Sequence, residues 1–219
     1  MEQVNRSGRS AVAIVLTLVA WTAVLLQLAL SIQLARANGK TAVDGVIAFA
    51  GYFTVLTNVL VAVVATAASR AGTRSTLRGF DTAMVRGCAT VAILTVGIGY
   101  HLLLRNIWSP QGWQWVADVL LHYVVPLGTL AWWLVRPPRE RLSVFAPLQW
   151  TLYPVAYIVY ALLRGAWVGT YPYPFIDVTQ LGYARALANA SGLLVAFIVL
   201  GYLVRAIASA GNRARSRLV

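Results

Sequence analysis

Six long apolar segments occupy most of this chain of 219 residues. A helix needs about 20 apolar residues to cross the hydrocarbon core of a bilayer. Segments of about that length lie at residues 10–34, 46–68, 80–104, 114–134, 143–163 and 181–208. Within a bilayer each segment must satisfy its own backbone hydrogen bonds, so such segments form helices. The sequence therefore predicts an all-α polytopic membrane protein, a bundle of six transmembrane helices.

Composition supports one membrane domain. The chain is 59% hydrophobic and 11% charged, whereas a soluble domain carries about 25% charged residues. The links between the segments are short and show no internal repeat, so we predict a single domain over residues 1–219. The first segment is too long for the apolar part of a signal peptide and no cleavage site ends it. We therefore expect it to be retained as the first helix.

The basic residues predict the topology. Of the 18 lysines and arginines, thirteen lie at the two termini and in the second and fourth links or the helix starts beside them, and five lie on the opposite side. An excess of positive charge marks the cytoplasmic side of a membrane protein. Both termini are therefore expected in the cytoplasm, in a bacterial cytoplasmic membrane. Topology and anionic lipids explain the net charge of +12 better than nucleic acid does. The expected partners are membrane lipids, and we predict no nucleic-acid or protein partner.

His122 is an ionisable residue inside the fourth segment, with Asp118 four residues earlier. Such a residue is costly within a membrane and usually marks a functional site. On a helix the two side chains share a face, and a carboxylate beside an imidazole can orient a general base. The same two groups also suit a structural role, in which they bond a neighbouring helix.

Thr54 and Asn58 share one face of the second segment. Counted from Asp44 and Gly112, where the two segments are expected to enter from the outer side, Thr54 and His122 are each ten residues in, which is about 15 Å deep for a straight helix. At matched depth a hydroxyl and an imidazole can meet as nucleophile and base, and the Asn58 amide is a candidate oxyanion donor. The alternative is structural, because membrane threonines and asparagines commonly bond nearby carbonyls or bridge helices.

Other polar residues lie at the outer helix ends. His101 is either an interfacial histidine or a second acid or base. Arg105 and Arg164 suit either lipid phosphates or the carboxylate of an acyl substrate. Asp177 follows an aromatic link and is a candidate partner for an outer arginine.

Common enzyme motifs are missing from the sequence. It contains no Gly-x-Ser-x-Gly elbow, no Walker A motif, no His-Glu-x-x-His and no dinucleotide fingerprint. The two histidines and one cysteine have no metal-ligand spacing. We therefore predict neither a metal site nor a cofactor.

Three short segments resemble the bacterial Pr6Pr family of six-span membrane proteins and, more distantly, the eukaryotic androgen-induced-gene-1 and FAR-17a proteins. They are YFTVLTN at 52–58, LHYVVP at 121–126 and YPYPFID at 171–177. The eukaryotic proteins hydrolyse fatty acid esters of hydroxy fatty acids with a threonine nucleophile and a histidine. The resemblance implies that Thr54 and His122 are these two residues, and it places the Tyr-Pro-Phe element on Tyr173.

The favoured hypothesis is therefore a membrane-embedded hydrolase of lipid acyl esters, with Thr54 as nucleophile and His122 as base. Its ligand would be a lipid ester or a fatty-acid-like small molecule. One alternative is a binding or sensing protein that holds an apolar ligand without turnover. Another is a small proton-coupled transporter with His122 and Asp118 as a relay.

Overall fold

The structure, a computed structural model, describes residues 2–70, 76–138 and 140–216, and all regular secondary structure within those ranges is helical. The helices are α1 (Glu2–Ala37), α2 (Ala42–Ala50), α3 (Phe53–Ser69), α4 (Ala83–Gly99), α5 (Trp113–Val119), α6 (Val125–Val135), α7 (Ala146–Trp150), α8 (Leu152–Val168) and α9 (Val178–Ser216). Short 3-10 helices lie at Thr76–Asp81 and Pro174–Ile176. The prediction of an all-α chain is confirmed.

Five stretches of helix are long and apolar enough to cross a membrane. They are Ala11–Ala37, Ala83–Leu104, Trp113–Val135, Ala146–Val168 and Val178–Ala210. Each matches one of the predicted segments within a few residues. The chain therefore has the helices of a multi-pass membrane protein.

The remaining predicted segment, 46–68, is broken. Helices α2 and α3 meet at 82° across Gly51 and Tyr52. The Arg164 guanidinium packs so closely here that a Cβ on Gly51 would lie 2.9 Å from its Cζ. Arg164 also donates from Nη2 to the Ile47 carbonyl, 3.2 Å away, near the end of α2, where a cation is favourable. The prediction of one continuous helix over 46–68 is wrong, because the chain turns before Thr54.

Small residues bring the first helices together. Ala20 and Ala23 of α1 and Ala62 and Ala65 of α3 are fully buried in one cluster, which extends to α4 and α6. Without a hydrophobic driving force between helices in lipid, close backbone approach supplies dispersion contacts instead. This packing fixes α3 as the central element beside which the site is built.

Two tryptophans join α4, α6, α7 and α9. Trp133 donates to the Val204 carbonyl at 3.2 Å, and Trp150 donates to the Met84 carbonyl at 2.9 Å. Both rings lie in a second buried cluster. A Cβ on Gly87 would lie 2.3 Å from the Trp150 ring, so only glycine lets α4 approach α7 this closely.

The outward helix faces are apolar. Large exposed apolar side chains recur along α1, α6, α8 and α9, among them Leu18, Leu127, Leu163 and Val195. Exposed apolar patches of this extent are rare on soluble monomers. They suit a protein whose surroundings are hydrocarbon.

Candidate functional site

An apolar cavity of about 250 Å³ lies among α3, α4, α8, α9 and the link before α9. Most of its lining is aliphatic or aromatic, and its polar groups are hydroxyls, including those of Thr54, Tyr100 and Tyr173. An apolar pocket with a few polar groups at one wall is the usual form of a site for small apolar ligands.

Thr54 lies at this wall because of the break before α3. It is the second residue of α3, so its backbone N–H has no partner within the helix. That N–H donates to the Tyr173 hydroxyl at 3.2 Å, and the Thr54 hydroxyl lies 3.3 Å from the same oxygen. Thr54 is only 8% exposed. The depth count along a straight helix therefore does not apply, and Thr54 reaches the cavity from a helix N-terminus.

Tyr173 is held in place by the link that carries it. Its ring stacks on Phe175 with centroids 5.1 Å apart and meets Tyr52 edge-on at 5.7 Å. The Phe175 carbonyl accepts from the Asn189 side chain of α9 at 2.9 Å. Tyr171 packs against Gly165 of α8, where a Cβ would lie 2.2 Å from its ring. The link is thus docked on both neighbouring helices, with the Tyr173 hydroxyl at Thr54.

Both histidines lie in π-helical turns. His101 belongs to the turn Tyr100–Leu104 after α4, and His122 belongs to the turn Leu120–Val124 between α5 and α6. Single π-turns inside helices are rare and frequently occur at functional sites. The two turns face each other, since the Tyr100 and His122 rings stack with centroids 3.8 Å apart.

Asp118 joins the two turns. Its Oδ2 accepts a 2.6 Å hydrogen bond from the Tyr100 hydroxyl, and the residue is 4% exposed. His122 Nδ1 lies 3.0 Å from the Asp118 backbone oxygen and 3.2 Å from its Oδ1. Asp118 therefore fixes one ring nitrogen of His122. The other nitrogen, Nε2, has no hydrogen-bond partner among the described residues, as a general base would require.

Asn58 connects α3 to the His122 turn. Its Nδ2 donates to the Thr54 carbonyl at 2.8 Å and to the Leu121 carbonyl at 3.3 Å. The Leu121 carbonyl is available because the Val125 N–H bonds Leu120 instead and Pro126 has no N–H. Both Asn58 amide hydrogens are thus occupied by backbone. As an oxyanion donor, Asn58 would have to release one of these bonds.

Thr54 and His122 share a level of the bundle but are not hydrogen-bonded. Asn58 touches the backbone of Thr54 and of the residue before His122. Tyr100 lines the cavity on one side and stacks on His122. The imidazole therefore lies behind the Tyr100 ring, and the Thr54 hydroxyl is paired with Tyr173 rather than with His122.

The remaining candidate residues lie outside the cavity lining. Exposed His101 contacts Tyr123 at 3.3 Å and Arg105 at 3.2 Å. Arg164 donates to backbone carbonyls, including that of Thr170 at 3.3 Å, so it anchors α2 and the link. A substrate role for either arginine stays a prediction.

Asp177 caps α9 instead of pairing with an arginine. Its Oδ1 accepts from the Thr179 hydroxyl at 2.5 Å and from the Thr179 N–H at 3.0 Å. The hydroxyl bond in particular keeps the pKa of Asp177 below its usual value. This is the role of an N-cap residue, and it fixes the direction in which the link leaves the cavity.

Tyr100 and Tyr123 are the site residues that motif reasoning missed. The order of residues carried a signal, because Tyr100-His101 on one helix is mirrored by His122-Tyr123 on another. Within the described residues, no group of three histidine, cysteine or acidic side chains is placed to hold a metal ion.

Comparison with protein-family models, curated proteins and solved structures gave no match for this chain. The resemblance to Pr6Pr and androgen-induced-gene-1 proteins therefore stays a prediction from the three short segments.

Proposed function

We propose that this protein is a membrane-embedded hydrolase that binds a lipid acyl ester in the apolar cavity and attacks it with Thr54. One observation carries the proposal. The Thr54 hydroxyl and N–H both lie at the buried wall of a cavity that is otherwise apolar. An ester whose acyl chain fills the cavity would have its carbonyl beside these groups.

The reaction needs a base and an oxyanion donor. In the proposed mechanism the Thr54 hydroxyl loses its proton to His122 Nε2 and bonds the ester carbon, and the alcohol leaves with that proton. Water then releases the acid. The Thr54 N–H, at a helix N-terminus, suits the developing oxyanion. In the present structure the Tyr173 hydroxyl accepts the hydrogen bond from that N–H. The position of its oxygen is therefore where the carbonyl oxygen of the substrate would bind.

This mechanism requires a second arrangement of one ring. Tyr100 must turn away from between His122 and the cavity before Nε2 meets the Thr54 hydroxyl. Binding of a substrate that displaces Tyr173 from Thr54 would leave that hydroxyl without its present partner. Such tightening on substrate binding is common, since catalytic hydrogen bonds are often incomplete in unliganded enzymes.

A second candidate is lipid binding or sensing without turnover. Two observations favour it. Thr54 and His122 are both described by the structure and form no hydrogen bond with each other, and the Thr54 hydroxyl already lies within hydrogen-bond distance of the Tyr173 hydroxyl. One observation also supports the alternative of a proton-coupled transporter, because transporters often contain broken helices like the one between α2 and α3. We further propose a bacterial cytoplasmic membrane location with six spans and both termini inside, on the distribution of basic residues.

The test is fluorophosphonate labelling and ester turnover by the purified protein in nanodiscs. Thr54→Ala and His122→Ala are each expected to lower turnover by at least about 100-fold, the usual contribution of a positioned acid or base. Thr90→Ala is the matched control. Thr90 is equally buried, but its hydroxyl bonds its own helix at Arg86 and does not line the cavity.

Three outcomes separate the candidates. Unchanged turnover in both variants would end the hydrolase mechanism. A lipid that stays intact in the wild-type cavity for hours, seen by native mass spectrometry, would favour the binding protein. Proton-coupled flux in proteoliposomes that His122→Ala abolishes would favour the carrier.

A further inference from the structure

The cavity is open on one side of the bundle. Thr54, Tyr173 and Phe197 form its buried wall. On the opposite side the lining side chains are exposed: Leu103 is 48%, Val159 52% and Leu187 47% exposed. These three residues belong to the turn after α4, to α8 and to α9, so the opening lies between helices.

The opening extends from a helix end to the middle of α8. Leu103 is one residue before the end of the apolar stretch Ala83–Leu104, and Leu187 is five residues after Gly182, where the backbone of α9 departs from helical geometry. Val159 is nine residues before the last residue of α8, about 13 Å inside its end at 1.5 Å per residue. A hydrocarbon core is about 30 Å thick, so the Val159 side of the opening lies at the depth of acyl chains.

The mouth of the cavity is mostly apolar. Leu103, Val159 and Leu187 are aliphatic, and the exposed lining residue Ser191 adds a hydroxyl, whereas the hydroxyls of Thr54 and Tyr173 lie at the buried wall. A water-soluble ligand would have to cross hydrocarbon to reach the Val159 side of this mouth. A membrane lipid already dissolved in the bilayer would move one apolar chain from lipid into an apolar cavity at little cost in hydration.

We propose that the gap bounded by Leu103, Val159 and Leu187 is a lateral portal through which one acyl chain of a membrane lipid enters from the bilayer. The chain moves sideways through the gap rather than methyl end first, so that its ester or carboxyl end lies at Thr54 and Tyr173. This inference rests on the proposed function for the fate of the lipid, and entry of the chain is tested separately from hydrolysis.

The probe is palmitic acid with a photoreactive diazirine in its chain, added to wild-type protein in nanodiscs of phosphatidylcholine and phosphatidylglycerol. After illumination, mass spectrometry of peptides locates the label. We expect labelling on cavity residues of α8 and α9. Leu187→Trp is expected to lower that labelling by about tenfold, since added side-chain volume overfills the mouth.

Val195→Trp is the matched control. Val195 is exposed on the same helix but does not line the cavity, so cavity labelling should equal that of the wild type. Leu187→Ala, which widens the mouth, should label at least as strongly as the wild type and keeps the test valid if Leu187→Trp fails to fold. Equal labelling in Leu187→Trp and wild type, reduced labelling in Leu187→Ala, or label confined to outward positions such as Val195 would overturn the portal.

Thr54→Ala separates the two proposals. Labelled cavity peptides together with ester turnover that Thr54→Ala leaves unchanged would overturn the hydrolase and leave the portal standing. Turnover that depends on Thr54 without cavity labelling would overturn the portal and leave the hydrolase standing.

Discussion

The hydrogen bond from Tyr100 to Asp118 gives the sharpest test of the described site. Tyr100→Phe removes the hydroxyl that donates to Asp118 Oδ2 at 2.6 Å and keeps the ring that stacks on His122. Asp118 is buried, and its Oδ1 keeps the 3.2 Å contact with His122 Nδ1. The substitution therefore removes the hydroxyl that donates to Oδ2 of a buried carboxylate.

The size of the effect follows from this burial. A hydrogen bond to a charged group contributes about 1.5–3 kcal/mol, so Tyr100→Phe should lower the free energy of unfolding by about 2 kcal/mol. For a chain of this length that lowers the unfolding temperature by roughly 4–8 °C. Asp118→Leu should also lower the free energy of unfolding. The double variant should lower it by about 1–2 kcal/mol less than the sum of the two single effects, because it leaves no buried carboxylate without its donor.

The assay is thermal unfolding in detergent, followed by labelling of Cys88, the single cysteine of the chain. Tyr123→Phe is the control, because among the described residues its hydroxyl contacts the exposed His101 alone and its loss should cost less than about 0.5 kcal/mol. A Tyr100→Phe variant that melts with the wild type, or single effects that add within about 0.5 kcal/mol, would refute the interpretation of Asp118 as the group that ties the two turns together.

Two further predictions concern packing and pH. Gly87→Ala should destabilise the protein by about 1–3 kcal/mol through overpacking, because the added Cβ would lie 2.3 Å from the Trp150 ring. Gly192→Ala is the control, because a Cβ there would have no neighbouring atom within 4 Å, and it should not lower the unfolding temperature. Equal effects of the two substitutions would contradict the argument. The lowered pKa of Asp177 gives stability that is present above about pH 4 and is lost as pH falls through the folded-state pKa. Thr179→Val should therefore flatten the fall in unfolding temperature on acidification, and an unchanged acid profile would show that this bond does not contribute.

The membrane architecture was predictable because it depends on length and polarity alone. Apolar segments of about 20 residues can be recognised in the sequence without tertiary information, and five of them are confirmed as helices of spanning length. The break before α3 could not be predicted from the sequence. Neither Gly51 nor Tyr52 forbids a helix, and Arg164, which packs on Gly51 and bonds the Ile47 carbonyl at the turn, lies more than a hundred residues away in sequence.

The same distinction explains what was predictable about the site. The motif YPYPFID marked Tyr173 as a candidate, but only tertiary packing places its hydroxyl on Thr54 across 119 residues.

The π-turns show why the two histidines differ in what they can do. In both turns the backbone shifts by one residue and changes which side chains face the neighbouring helix. Because of the shift at Leu120–Val124, the Leu121 carbonyl is free to accept from the Asn58 amide, and the His122 ring stacks on the Tyr100 ring. The shift at Tyr100–Leu104 leaves His101 exposed beside Arg105. Of the two, His122 is the half-buried one, with Nδ1 held by Asp118 and with no hydrogen-bond partner for Nε2 among the described residues, so it is the histidine that we propose as the base for Thr54.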